Sequence, residues 1–359
     1  MTAFAPATAP RVPDDTTLLA AARRGDPLGD AAAAVRGGHR QVVEALRSGT
    51  TPPEEATAAL VQDLLARTAA VAPDVLTTGS RPHFTVPPAV HVLDVGAGAL
   101  IRSYAPPEPA TILVGTGQLV DDTERRLWDT ARWLNQIAEP GGLRPGRDGL
   151  VATASVRLMH AGVRRQVTRT RPPGPGAPVH ISQLDLLRTW TDFTVAAPRA
   201  ASRLGQDLTE EEYATFLTFW RHVGTLLGIE PELLAGVRRR RDAVELDARI
   251  VSLTPPPNAD SRRLTEIGLT TLAHAWSDIS PLPRRVTVPV IHAIARTLQG
   301  PELSDALGIP RAPAHRLVPV VAAAARWRRN RLRRNPIAWE RMIERNLETA
   351  AGMIPAAGA

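Results

Sequence analysis

His160 sits in the run Arg157-Leu-Met-His160-Ala-Gly-Val-Arg164-Arg165. Helical spacing places Arg157 one turn before it and Arg164 one turn after it, all on one face. A neutral imidazole ligates metals, and a guanidinium pairs with carboxylates through two parallel hydrogen bonds. A histidine between two arginines therefore suits a metal carried by an anionic cofactor. Haem answers that description, with the ring nitrogen on iron and the arginines facing the propionates. The same spacing also fits a plain histidine, half exposed or held by hydrogen bonds in a helical bundle. Val156, Met159, Val163 and Val167 form an apolar stripe beside the histidine, so this helix is expected to be half buried. A buried imidazole nitrogen without a partner costs about 1–3 kcal/mol. Iron on one nitrogen and a carbonyl or carboxylate on the other would satisfy both.

A second polar set, Arg126, Asp129 and Thr130, shares one helical face at i, i+3 and i+4. Arg125 and Asp129, four apart, also fit an ordinary surface ion pair. His222, in Trp220-Arg-His222-Val-Gly224, reads as a core histidine, with support of a pocket as the other option. Gln183 and Asp185 follow a Pro-rich loop and are expected to cap the next helix. The remaining histidines, His83 and His91 among them, show no ligand spacing. No His-Glu-x-x-His run and no Gly-x-Ser-x-Gly elbow occurs, which leaves zinc and serine hydrolases without support.

Composition narrows the chemistry. The 359 residues hold no Cys, which excludes disulfides, thiolate-bound haem, iron–sulfur clusters and cysteine zinc sites. They hold no Lys either, so all 43 basic residues are Arg and no Schiff-base lysine exists. That bias matches codon usage in a GC-rich bacterial genome. A net charge of +7 raises the question of nucleic acid. The clusters Arg238–Arg241 and Arg326–Arg334 read rather as solvated faces, with no specific nucleic acid partner; peripheral contact with an acidic membrane surface stays open. No secretion signal and no run of about 18 apolar residues is present, so the expected location is the cytoplasm.

The chain reads as successive helices. We expect an N-terminal tail and helical extension over 1–75, a central helical domain over 76–335, and a C-terminal amphipathic helix and tail over 336–359. Residues 1–15 are Pro- and Ala-rich and expected to be disordered; 73–91 should be an extended connection. Single helices are expected over 29–48 and 231–253. Thr209-Glu-Glu-Glu212 should start a helix that stops at Gly228. The best strand candidate is 89–95, which leads into Gly96-Ala-Gly98. Val92-Leu-Asp94-Val-Gly96-Ala-Gly98 looks like the glycine turn of Rossmann-type methyltransferases, which cradles S-adenosylmethionine. Leu100 replaces the usual third glycine, and no strand–helix alternation follows. The other reading of these glycines is close helix packing, or close approach to a flat cofactor.

The segment Val156-Arg157-Leu-Met-His160-Ala-Gly-Val163-Arg164 resembles the haem-ligating helix of the rubber oxygenase family, which includes bacterial latex-clearing proteins and fungal MpaB-type oxygenases. Further pieces follow in the family's order: Gly96–Arg102, Thr116–Thr130, Ile181–Leu187 and Trp220–Ile229. The resemblance implies an all-α, globin-like core and haem b. It also implies dioxygen chemistry on an apolar, often isoprenoid, substrate. It makes His160 the iron ligand, with Arg157, Arg164 and His222 around the cofactor. Arg126, Asp129 and Thr130 would then lie over the opposite side. Rubber oxygenases carry Lys where this chain has Asp129, a charge reversal that could change the oxygen chemistry. The resulting expectation is a haem b-dependent oxygenase. The alternatives are a methyltransferase and a haem-binding protein without turnover; oligomeric state is not legible.

Overall fold

The computed structural model describes residues 11–115, 119–279 and 283–353, and it is all helix, with no strand among the described residues. The helices are α1 (Asp15–Ala21), α2 (Pro27–Ala34), α3 (Gly38–Ser48), α4 (Glu55–Ala69), α5 (Pro73–Thr77), α6 (Arg81–Phe84) and α7 (Pro88–Leu93). A π-helical stretch, Asp94–Leu100, leads into α8 (Ile101–Ser103), α9 (Pro107–Gly115), α10 (Leu119–Ala138), α11 (Asp148–Thr170) and α12 (Gln183–Thr191). A second π-helical stretch, Asp192–Ala196, leads into α13 (Ala197–Arg203), α14 (Glu210–Leu226), α15 (Pro231–Ala235) and α16 (Arg240–Ser252). The chain closes with α17 (Ala259–Ile279), α18 (Arg284–Gln299), α19 (Pro301–Ala306), α20 (Val318–Arg333) and α21 (Pro336–Met353).

Caps follow local chemistry. Asp14 accepts from the Thr17 amide at the start of α1, and Thr209 and Glu212 form a reciprocal capping box on α14. Asp185 does the same for Ser182 ahead of α12. Residues 11–14 are therefore ordered, against expectation, while 1–10 lie outside the described residues. The expected helix over 29–48 is broken at Gly37, whose φ of 73° lies in the left-handed region. The helix expected over 231–253 breaks after Ala235, and at Gly236 the backbone of Arg11 passes so close that any Cβ there would collide with it.

The expected strand over 89–95 is also wrong. Pro88 opens a helix, and Leu93, Ala97 and Ile101 recur every fourth residue to fill one core with Leu269, Leu272 and Ile291. A methyltransferase turn needs a strand before its glycines, so that reading fails. The glycines instead allow helices to touch. A Cβ on Gly98 would lie 2.8 Å from the Ala200 Cβ, and one on Gly96 2.8 Å from the Leu272 Cδ1. The expected extended segment is likewise three short helices, and the chain turns by 84° between Phe84 and Pro88.

The larger core gathers Leu18, Leu60 and Leu64 from the N-terminal helices with Leu150, Leu158, Leu217 and Val223. The N-terminal extension therefore shares its core with the central helices. Near the C-terminus, Ile343 and Ala350 of α21 pack on Phe84 and Ala138.

Gly98→Val should overpack the contact with α13 and destabilise the fold by about 1–3 kcal/mol, read as a lower denaturation midpoint. A midpoint equal to that of the parent would show that α13 yields freely.

Candidate functional site

α10 and α11 are antiparallel neighbours. Trp133 Nε1 donates to Thr153 Oγ1 at 3.1 Å, and this register places Arg126 level with His160 on the facing helices. The two polar sets singled out in the sequence are thus brought to one end of a helix pair. The start of the second matched motif, Thr116–Gln118, lies outside the described residues.

His160 is half buried, and its Nδ1 is fully enclosed without a hydrogen-bond partner. Burial, and then the charge of Arg164, push its pKa down to about 4. The ring is therefore neutral at neutral pH, which is the metal-ligating form. Its flanking arginines are committed elsewhere. Arg157 donates from Nε and Nη2 to the two carboxylate oxygens of Asp26 at 2.7 and 2.8 Å, and from Nη1 to Asp63 at 2.9 Å. Arg164 donates from Nε to Asp30 at 2.9 Å and from Nη1 to the Ile181 carbonyl at 2.5 Å. Ile181 has a φ of 48°, a costly conformation for a β-branched residue, and its carbonyl meets that guanidinium. Only Arg164 Nη2 is left buried and unpartnered. Every nitrogen of Arg157 thus faces a carboxylate and holds the helix, while Arg164 has one nitrogen, Nη2, that faces no partner.

Thr130 lines an apolar cleft together with Leu127, Trp128, Leu134, Val95 and Ala275. A second chamber, reaching Phe193, Phe216 and Trp220, shares His83, Val86, His91, Val95 and Leu134 with the first. Asp129 points the other way: it is exposed and pairs with Arg132 at 2.6 Å, not with Arg125 as i, i+4 spacing suggests. His160, Arg126 and His222 line neither chamber. His222 is buried, with Nε2 unpartnered and its pKa pushed down to about 4 by burial and then by Arg67.

Sequence reasoning missed two histidines that do line the cleft. His83 and His91 stack with ring centroids 4.0 Å apart and planes 7° apart. His91 places Nδ1 3.2 Å from Asp94 Oδ1 and Nε2 2.7 Å from the His83 carbonyl. Both nitrogens face acceptors, so only the doubly protonated ring donates to both. Burial opposes that charge, but Asp94 outweighs it and the His91 pKa rises above its ordinary value. Burial, and then the charge of His91, drive His83 well below its ordinary value. The two stacked rings are thus pushed in opposite directions, His91 towards the charged form and His83 towards the neutral one. No metal-binding cluster of three or more His, Asp or Glu occurs among the described residues.

Residues 85–330 match the catalytic-domain family of the ER-bound oxygenases mpaB/B′ and rubber oxygenase, and the chain belongs to that family. It is 23% identical over 222 residues to the rubber oxygenase of Streptomyces sp. (strain K30), covering 61% of this chain and 52% of that protein. It is 28% identical over 145 residues to the ER-bound oxygenase mpaB of Penicillium brevicompactum, covering 40% of this chain and 33% of that one. The matched stretches thus span about half or a third of these curated relatives. The fold superposes on latex clearing protein LCP in its closed state with a TM-score of 0.67 at 18% identity, over 94% of this chain and 92% of that one. An all-α fold of this type is therefore what the chain adopts.

His222 supplies a pH test. Its folded pKa of about 4 lies below its ordinary 6.5, so the unfolded chain binds the extra proton. Its contribution is fully present above about pH 6.5 and is lost as pH falls towards 4, on the order of 3 kcal/mol at most. The denaturation midpoint should drop across that window, and His222→Gln should flatten the drop. An identical pH profile in the variant would refute this assignment.

Proposed function

We propose that the protein is a haem b-dependent oxygenase that uses dioxygen on an apolar, isoprenoid-like substrate. The observation carrying this reading is the neutral, half-buried imidazole of His160, whose Nδ1 is enclosed and unpartnered, in the helix that matches the family. Two donor atoms suit the group chemically, although neither His160 nor Arg164 lines the two chambers described above. A neutral ring nitrogen can take iron, and the free Nη2 of Arg164 can take a propionate oxygen. When bound, haem supplies the iron chemistry that activates dioxygen, which side chains alone cannot do.

The rest belongs to this chain's residues. Arg157, locked between Asp26 and Asp63, fixes the rotation of α11 and so the direction of His160. Trp133 and Thr153 fix its height against α10. The cleft walls, Val86, Val95, Leu127 and Leu134 among them, exclude water and favour a chain of hydrocarbon. Thr130 offers a hydroxyl at the wall; it donates to the Arg126 carbonyl at 2.8 Å and keeps its oxygen lone pairs for a substrate or water donor. His83, stacked on His91 and held towards its neutral form by burial, can accept or donate a hydrogen bond to an oxygen-bearing group in the cleft. Asp129 lies outside the cleft in its pair with Arg132, so the charge reversal against rubber oxygenases falls on the surface of this fold.

Protein expressed with haem should show a Soret band and consume oxygen when given a polyisoprenoid. His160→Ala should lose the band while keeping its helical circular dichroism. Full haem content in that variant would sink the ligand assignment, and a red protein with no substrate-dependent oxygen uptake would leave binding without turnover.

A further inference from the structure

α20 carries two sets of arginines on opposite faces. The inward set is spent on the protein. Arg326 pairs with Asp207 at 2.7 Å, Arg329 is buried against Thr85, and Arg333 binds Glu212 and the Asp207 carbonyl. The outward set is not: Arg328, Arg331 and Arg334, with Arg316 just before the helix, are exposed and have no ion pair among the described residues. From Ala306 to Trp339 the chain contains no Asp or Glu at all.

The same outward face is apolar over its first half. Leu317 is 64% exposed, Val320 and Val321 66% each, and Trp327 64%, and Ile337 beyond the helix is 66% exposed. Positions 317, 320, 321, 324, 327, 328 and 331 recur at intervals of three and four, which is one helical stripe. Arg331 lies over the Trp327 ring with its Cζ 5.6 Å from the centroid, at the junction of the apolar and basic halves. Sixteen helical residues make this stripe about 24 Å long.

We propose that this face of α20 docks the protein on an anionic lipid surface. Leu317, Val320, Val321 and Trp327 enter the interface, and Arg316, Arg328, Arg331 and Arg334 meet headgroup phosphates. An apolar stripe with Trp at its edge and unpaired basic residues beside it is the pattern of helices that lie in the membrane plane. No single described helix is long and apolar enough to cross a bilayer, so docking would be peripheral. A nucleic acid backbone would use the arginines but gain nothing from exposed valines. A second copy joined face to face would set these arginines against their own kind with no carboxylate to answer them. The inference stands on the surface alone and is independent of what the cleft holds.

Flotation of the full-length protein with vesicles tests it. The protein should rise with phosphatidylcholine–phosphatidylglycerol vesicles, stay behind with phosphatidylcholine alone, and be released by salt. Each lost arginine should weaken partition about fivefold, so Arg328→Ala with Arg331→Ala should weaken it roughly 25-fold. Val320→Ser with Trp327→Ser should also weaken it, with the circular dichroism spectrum unchanged in both variants. Arg36→Ala with Arg40→Ala, the same charge change on the N-terminal helices, should bind as the parent does. The proposal is overturned by equal binding to both vesicle types, by no binding to anionic vesicles, or by equal loss in the Arg36 and Arg40 variant. A solution dimer that Val320→Ser with Trp327→Ser dissociates, and that ignores vesicles, would assign the face to a second copy instead.

Discussion

The arrangement around His160 depends on one buried interaction, the two-pronged pairing of Arg157 with Asp26. Both side chains are almost wholly enclosed, so neither charge could remain without the other. The pairing reaches across the chain from α11 to the residue that caps α2, and Asp26 also accepts from the Gly29 amide. Gly228 completes the fit: with its φ of 93°, a Cβ there would lie 2.6 Å from Asp26 and 2.8 Å from Arg157. A helix stop, a helix start and the histidine helix thus meet at one ion pair. The N-terminal helices are what make the rotation of α11 unique, because they carry all three carboxylates that Arg157 and Arg164 use.

A second ionic centre does for the cleft what this one does for the histidine. Arg102 donates to Asp192 at 2.9 Å and to Asp247 at 2.7 Å, and so ties the segment after the first π-helix to the second π-helix and to α16. Burial pushes the Asp192 carboxyl up to about 7 even though Arg102 opposes it. A π-helix widens the turn and rotates the residues that follow it, which costs hydrogen-bond geometry and is retained where a side chain must be re-aimed. Here Val95 and Gly96 of the first and Phe193 of the second line the chambers. The Gln299 amide reinforces the widened turn by donating to the Ala97 and Gly98 carbonyls at 2.7 Å each.

What the sequence revealed follows the range of the forces involved. The cap at Thr209, the capping role of Asp185 and the helical stripes are local, and they were legible from spacing of a few residues, whereas the caps Asp14 and Ser182 were not singled out. The His160 face was legible for the same reason. Its partners were not: Asp26, Asp30 and Asp63 lie 94 to 134 residues away, and nothing in their own neighbourhoods marks them as partners of α11. His83 and His91 were missed for a different reason. On a straight helix, residues eight apart sit two turns from each other and cannot stack. Pro87 and Pro88 force the turn that folds one ring onto the other, and a turn of 84° has no signature in ligand spacing. The strand expected at 89–95 failed because alternation over so few residues also fits a helix that buries every fourth side chain.

The absence of lysine gives these interactions a common physical basis. A guanidinium stays charged, spreads that charge over a plane and offers five donors, so one Arg157 can satisfy Asp26 and Asp63 together where an ammonium would leave geometry unmet. The same property lets Arg329 remain buried against Thr85 although burial lowers its pKa to about 10. Arginine is thereby used inside this fold as a hydrogen-bonding connector between distant segments. Interior positions such as Arg157 and Arg102 are fixed by what they join, so their loss should be felt as instability. Exterior positions such as Arg328 and Arg331 join nothing in the described chain, so their loss should be felt only by whatever the protein meets.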